Sequence, residues 1–76
     1  MEKIDISIKT EYIKLDQLLK FAAVAESGAD AKDMVLSGMV EYNGEPCLMR
    51  GKKIRAGDEV TVKFEDEIVR IAVGNI

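Results

Sequence analysis

A chain of 76 residues with 47% hydrophobic and 33% charged side chains has globular composition, which excludes a disordered tail. It has no histidine, and its one cysteine, Cys47, cannot close an intramolecular disulfide; Ser–His–Asp, Cys–His and His-containing zinc sites are therefore excluded. The net charge of −3 argues only against strong nonspecific binding to polyanions, because a local field reaches roughly 8–10 Å at physiological salt.

In chain order, Ile4, Ile6 and Ile8 alternate with polar residues, the pattern of a half-buried strand. Leu15, Leu18, Leu19 and Ala22 then share one helix face. Ala22, Ala23 and Ala25 favour continuation of that helix, within 15–27, to a stop at Gly28, and Asp16 is expected to pair with Lys20 four residues on. Ser27 and Asp30 read as a capping box opening a second helix within 28–37, with Ala31, Met34 and Val35 inward and Gly38 at its end. The two helices should meet in a sharp corner with no long loop.

Met39 to Tyr42 reads as a strand, Asn43-Gly44 as a hairpin turn, and Glu45 to Met49 as the return arm, placed at a sheet edge by Pro46. Arg50 to Arg55 reads as a basic loop and Ala56-Gly57-Asp58 as a turn. Val60, Val62 and Phe64 alternate as another strand, Glu65-Asp66-Glu67 is a solvated turn, and Ile68 to Val73 is the last strand. The expected fold is α+β, two short helices packed on a small, mainly antiparallel sheet.

The longest apolar run, Phe21 to Ala25, is far short of the ~18 residues a membrane span needs. Glu2 and Asp5 near the start, with no apolar stretch, do not suit a secretory signal. A single soluble domain over residues 1–76, in the cytoplasm, is the expectation. The glycines lie singly at turns and form no dinucleotide or P-loop pattern, and Cys47 has no base partner in a hairpin arm and reads as a small hydrophobe. Hence no enzyme activity, metal or cofactor is expected. Tyr42 and Phe21, two of only four aromatics, are expected in the core, and Asn43 and Gly44 as turn-formers.

Charge is distributed unevenly. Residues 1–49 carry five basic and nine acidic side chains, and residues 56–76 carry two basic and five acidic. Residues 50–55, Arg50-Gly51-Lys52-Lys53-Ile54-Arg55, carry four basic and none acidic. Such a knot on an acidic protein is a candidate anion site.

From Ile13 to Lys63, three stretches combine. Lys14-Leu15-Asp16-Gln17-Leu18-Leu19-Lys20-Phe21 is followed by Ser27-Gly28-Ala29-Asp30-Ala31-Lys32 and then by Gly38-Met39-Val40-Glu41-Tyr42-Asn43-Gly44. The basic segment and the Gly57-Asp58 turn complete the set. This resembles the RNA-binding domain named after small-subunit ribosomal protein S-four, whose αL motif is two short helices followed by a hairpin, and in particular its short stand-alone members. The resemblance implies an αL corner over about 13–63, flanked by an N-terminal and a C-terminal strand, that docks on structured RNA, with ribosomal RNA a candidate. Residue by residue it points to Lys14, Lys32, Arg50, Lys52, Lys53 and Arg55. Lys20 is left out because of Asp16. Gly28 and Glu41 depart from the family pattern, standing where many members carry Arg or another basic residue. Lys and Arg suit this role because they neutralise phosphates and release counterions, so backbone or shape recognition is the expected mode. The alternative from another class is a protein-interaction or ubiquitin-like carrier module without RNA binding, suggested by the length and the opening strand; the ending Ala72-Val73-Gly74-Asn75-Ile76 lacks the Gly-Gly such carriers need.

Overall fold

In the computed structural model, which describes residues 1–76, the isoleucine alternation forms β1 (Glu2–Ile8) with Ile4, Ile6 and Ile8 turned to the core. β2 (Ile13–Lys14) runs directly into α1 (Leu15–Phe21), and α2 (Gly28–Leu36) follows. The remaining strands are β3 (Val40–Tyr42), β4 (Glu45–Pro46), β5 (Lys53–Ile54), β6 (Glu59–Lys63) and β7 (Ile68–Asn75). Five of the seven strands form one sheet in the order β1-β7-β6-β3-β4, while β2 and β5 pair separately. The architecture is the expected two-helix corner on a mainly antiparallel sheet. The exception is β1, which lies parallel to β7 and sets Ile4 beside Ile71 and Ile6 beside Val73. Parallel neighbours need a crossover, and here it is the whole chain from β2 to β6.

One face of the sheet, with Val40, Val60, Val62, Val69, Ile71 and Val73, packs with Leu15, Leu18, Leu19, Ala31, Met34 and Val35 of the helices in a single buried cluster. The other face is polar. There Lys63 pairs with Glu41 at 2.9 Å and Arg70 with Glu59 at 3.5 Å. No helix is long and apolar enough to cross a membrane.

Several local expectations are corrected. α1 ends at Phe21, well before Gly28, because the chain closes it with a Schellman motif built on alanine. Ala23 adopts φ 60, its N–H donates to the Lys20 carbonyl at 3.0 Å, and the Val24 N–H donates to the Leu19 carbonyl at 3.0 Å. A stop with no glycine is invisible to a search for glycine. Gly28 is instead the first residue of α2, so residues 22–27 form a real connection between the helices. Ser27 caps α2 as expected, its Oγ accepting from the Asp30 N–H at 3.2 Å, but the Asp30 carboxylate reaches past Ser27 to the Glu26 N–H at 3.0 Å.

Asp16 and Lys20 form no ion pair; Asp16 Oδ1 accepts from the Gln17 N–H at 2.8 Å. Phe21 is not a core residue, being 64% exposed at the end of α1. The hairpin turns at Asn43 (φ 49) and Gly44 (φ 90), the two positive φ values of a type I′ turn. Pro46 does lie on the edge strand, but the return arm leaves the ladder after a last bond from the Cys47 N–H to the Val40 carbonyl, and Leu48 and Met49 project to solvent. Residues 50–55 are not a free loop, since Lys53–Ile54 is a strand and Ile54 is fully buried.

Candidate nucleic-acid interface

The basic segment is positioned by the start of α1. The first N–H groups of a helix have no partner within it. Here the Leu15 N–H donates to the Lys52 carbonyl at 2.9 Å and the Asp16 N–H to the Arg50 carbonyl at 3.0 Å. The basic segment thus supplies the backbone cap that Lys14, at the N-cap, does not provide with its side chain. Burial of Ile54 then fixes the register. Ile13 opposes Ile54, and therefore Lys14 opposes Lys53, both exposed.

Two ammonium groups directly across an antiparallel pair repel. Neither has a carboxylate within ion-pair distance, and the two ion pairs of the molecule use Lys63 and Arg70. None of Lys14, Lys32, Arg50, Lys52, Lys53 and Arg55 therefore forms an ion pair with a carboxylate. Three of them rest on aromatic rings instead: Lys53 Nζ lies 5.0 Å and the Arg55 guanidinium 5.9 Å from the Tyr12 centroid, and Lys52 Nζ lies 4.8 Å from that of Tyr42. Such contacts orient a cation without neutralising it.

The far end of the segment is held by Asp58. Its Oδ2 accepts from the Arg55 N–H at 2.8 Å and the Tyr42 hydroxyl at 3.1 Å, and its Oδ1 accepts from the Asn43 amide at 3.2 Å. Gly57, at φ 94, allows the turn that brings Asp58 back under Arg55. Asn43 completes the clasp, accepting from the Glu59 N–H at 2.8 Å through Oδ1. Partial burial pushes the Asp58 carboxyl up, but the bonds from Arg55, Asn43 and Tyr42, with the Arg55 charge, outweigh it and hold the group below the usual carboxylate range. Burial first, then the hydrogen bond and charge of Asp58, raise the Tyr42 phenol.

Five of the six residues nominated from the sequence, Lys14, Arg50, Lys52, Lys53 and Arg55, are brought together on β2, β5 and the turns around them. Lys32 stands apart. It is exposed on α2, which packs on α1 and shares no hydrogen bond with residues 50–55. Glu41 lies on the outer sheet face, committed to Lys63, so it does not face the basic segment. Tyr12 and Asp58 were not nominated as site residues. Tyr12 carries no sequence signal, because its proximity to Lys53 follows from the β2–β5 pairing. Asp58 could have been suspected from Gly57-Asp58 and Asn43-Gly44 together, two turns whose side chains meet.

A helix corner beside a hairpin, with a cationic segment clipped to the first helix, defines a domain of the αL type. The chain belongs to the S4 domain family, whose model matches residues 6–72. The probable ribosome maturation protein RlbA of Bacillus subtilis (strain 168) is 45% identical to it over 58 residues, 76% of this chain and 82% of that protein. The solution structure of E. coli YbcJ, described as having an αL motif involved in RNA binding, is 32% identical with a TM-score of 0.59, covering 95% of this chain and 87% of that one. The trimeric structure of Vibrio cholerae Heat Shock Protein 15 is 27% identical with a TM-score of 0.75, covering 87% of this chain and 66% of that one. Family membership places the chain apart from the ubiquitin-like carriers that its length suggested.

Proposed function

We propose that the protein is a non-catalytic RNA-binding module, acting as one unit over residues 1–76, that docks on structured RNA through phosphate contacts. The observation that carries this is the Lys14–Lys53 pair, two cations set face to face by the register of β2 and β5 with no carboxylate to separate them. Facing like charges disfavour the strand pair, and a phosphate placed between them removes that repulsion. Arg50, Lys52 and Arg55 extend the same field, and Arg adds bidentate phosphate geometry. Lys32 contributes from α2 to an RNA wide enough to span the corner. The name of the B. subtilis relative makes ribosomal RNA, and hence the cytoplasm, the first place to look.

Fluorescence anisotropy with ribosomal RNA fragments over a salt series tests this. About four to six phosphates neutralised give a slope of log affinity against log salt of about −3 to −4 on single strands and a steeper one on duplex. Affinity in the micromolar range is the order of magnitude for contacts of this kind at physiological salt. Lys52→Ala/Lys53→Ala should weaken every RNA alike and flatten the slope by about 1.5 units. A folded double variant with unchanged affinity and slope refutes the phosphate site.

A further inference from the structure

Large apolar side chains on a surface are ordinarily scattered. Leu48 and Met49 are consecutive, 57% and 66% exposed, and immediately precede Arg50. The backbone that displays them is held on three sides. The Cys47 N–H donates to the Val40 carbonyl at 3.0 Å, the Lys52 N–H to the Met49 carbonyl at 3.1 Å, and the Arg50 carbonyl accepts from α1 through Asp16 at 3.0 Å. These bonds hold the backbone on both sides of the pair, with the two side chains outside the core. No acidic residue occurs from Pro46 to Gly57.

We infer that Leu48 and Met49 are a base-contacting patch, and that the RNA held by the basic segment presents an unpaired nucleotide to them. This rests on the RNA-binding proposal. A nucleotide joins an apolar ring face to an anionic phosphate, and the segment places an apolar pair directly beside a cation. The Cα atoms of Met49 and Arg50 are ~3.8 Å apart, so one nucleotide can engage both. Leu and Met are among the side chains that wedge against unstacked bases, and in RNA the exposed bases lie in loops, bulges and ends. Tyr42 does not compete for this role, because Lys52 covers its ring and Asp58 holds its hydroxyl. An acidic, apolar protein segment would meet the charges equally well; continuity with the phosphate-binding run favours RNA.

The test compares a perfectly paired RNA duplex with the same duplex carrying a bulge, against wild type, Leu48→Ser/Met49→Ser and Lys52→Ala/Lys53→Ala. Wild type should prefer the bulged RNA by roughly tenfold, the scale of a single base contact. The serine variant should lose that preference and keep the salt slope, while the lysine variant should keep the preference and lose slope. Equal wild-type affinity for both RNAs, or a serine variant that still prefers the bulge, overturns the inference and leaves the apolar pair to a protein partner. Failure of wild type to bind either RNA overturns the RNA-binding proposal as well. The Met49 methyl resonance gives a readout in the unmutated protein. It should move upfield under the ring current of a base on titration with bulged RNA and stay in place with duplex; a stationary methyl in both refutes the contact.

Discussion

Replacing Asp58 with Ala removes one carboxylate that accepts from the Arg55 N–H, the Tyr42 hydroxyl and the Asn43 amide. Bonds to a charged group are worth about 1.5–3 kcal/mol each when water cannot replace them. Only the Tyr42 bond is part-buried; those to Arg55 and Asn43 are exposed, and solvent screening leaves such bonds about 0.5 kcal/mol each. With the part-buried Tyr42 bond at the low end of that range, the expected loss is about 2–3 kcal/mol, a large share of the stability of a small domain. With a urea m-value near 1 kcal/mol/M, the midpoint should fall by about 2 M.

Asp58→Asn separates charge from shape. Asn43 cannot flip, because its Oδ1 accepts from the Glu59 N–H. Its NH₂ must then point at position 58, and an Asn there, keeping its oxygen toward Arg55 and Tyr42, would present a second NH₂. One bond is lost and a donor meets a donor, so the cost should be about 1–2 kcal/mol, smaller than for Ala. The carboxyl titrates lower in the fold than in the unfolded chain. Its contribution is thus fully present above the unfolded value, near pH 4, and is lost as pH falls through the lower folded value. Urea melts of wild type and Asp58→Asn should stay a constant distance apart above about pH 5 and converge below about pH 4. An Asp58→Ala midpoint within experimental error of wild type would refute the clasp.

Ala23→Gly should raise stability by about 0.5–1 kcal/mol, since Ala23 sits exposed at φ 60, where a Cβ is strained; a lower thermal midpoint would show that the alanine is held by packing. Ser27→Ala should cost about 0.5–1 kcal/mol in urea, toward the lower end of the range for an N-cap because the bond to the Asp30 N–H is long and exposed. Lys14→Glu sets opposite charges across β2 and β5, so the thermal midpoint should hold or rise by up to about 0.5 kcal/mol of stability while RNA affinity falls. If both the midpoint and the affinity fell, Lys14 would be supporting the fold rather than facing a ligand.

Local rules set most of the elements of this chain. Alternating isoleucines can bury one edge only as a strand, Leu15, Leu18 and Leu19 share a face only in a helix, and Asn43-Gly44 turns a hairpin because both residues accept positive φ. The cationic run from Arg50 to Arg55 needs no coordinates to be noticed, and its neighbouring motifs suffice to point to the family. What failed locally did so for a local reason: the stop at Ala23 places an alanine in the left-handed region where glycine is preferred.

The arrangement of the site was decided at longer range. Periodicity cannot show that β1 lies parallel beside β7, nor that a two-residue strand at Lys53–Ile54 pairs back to Ile13–Lys14, because so short a pairing has no pattern of its own. Burial of Ile54 under α1 selects that register, and the register alone sets Lys53 against Lys14 and beneath it brings Tyr12 within reach. The Asn43–Asp58 clasp likewise joins two turns fifteen residues apart. Residue types and spacing therefore determined which charges the protein carries and which elements hold them. The tertiary fold decided which of those charges meet unneutralised, because only packing of the core chooses the strand register.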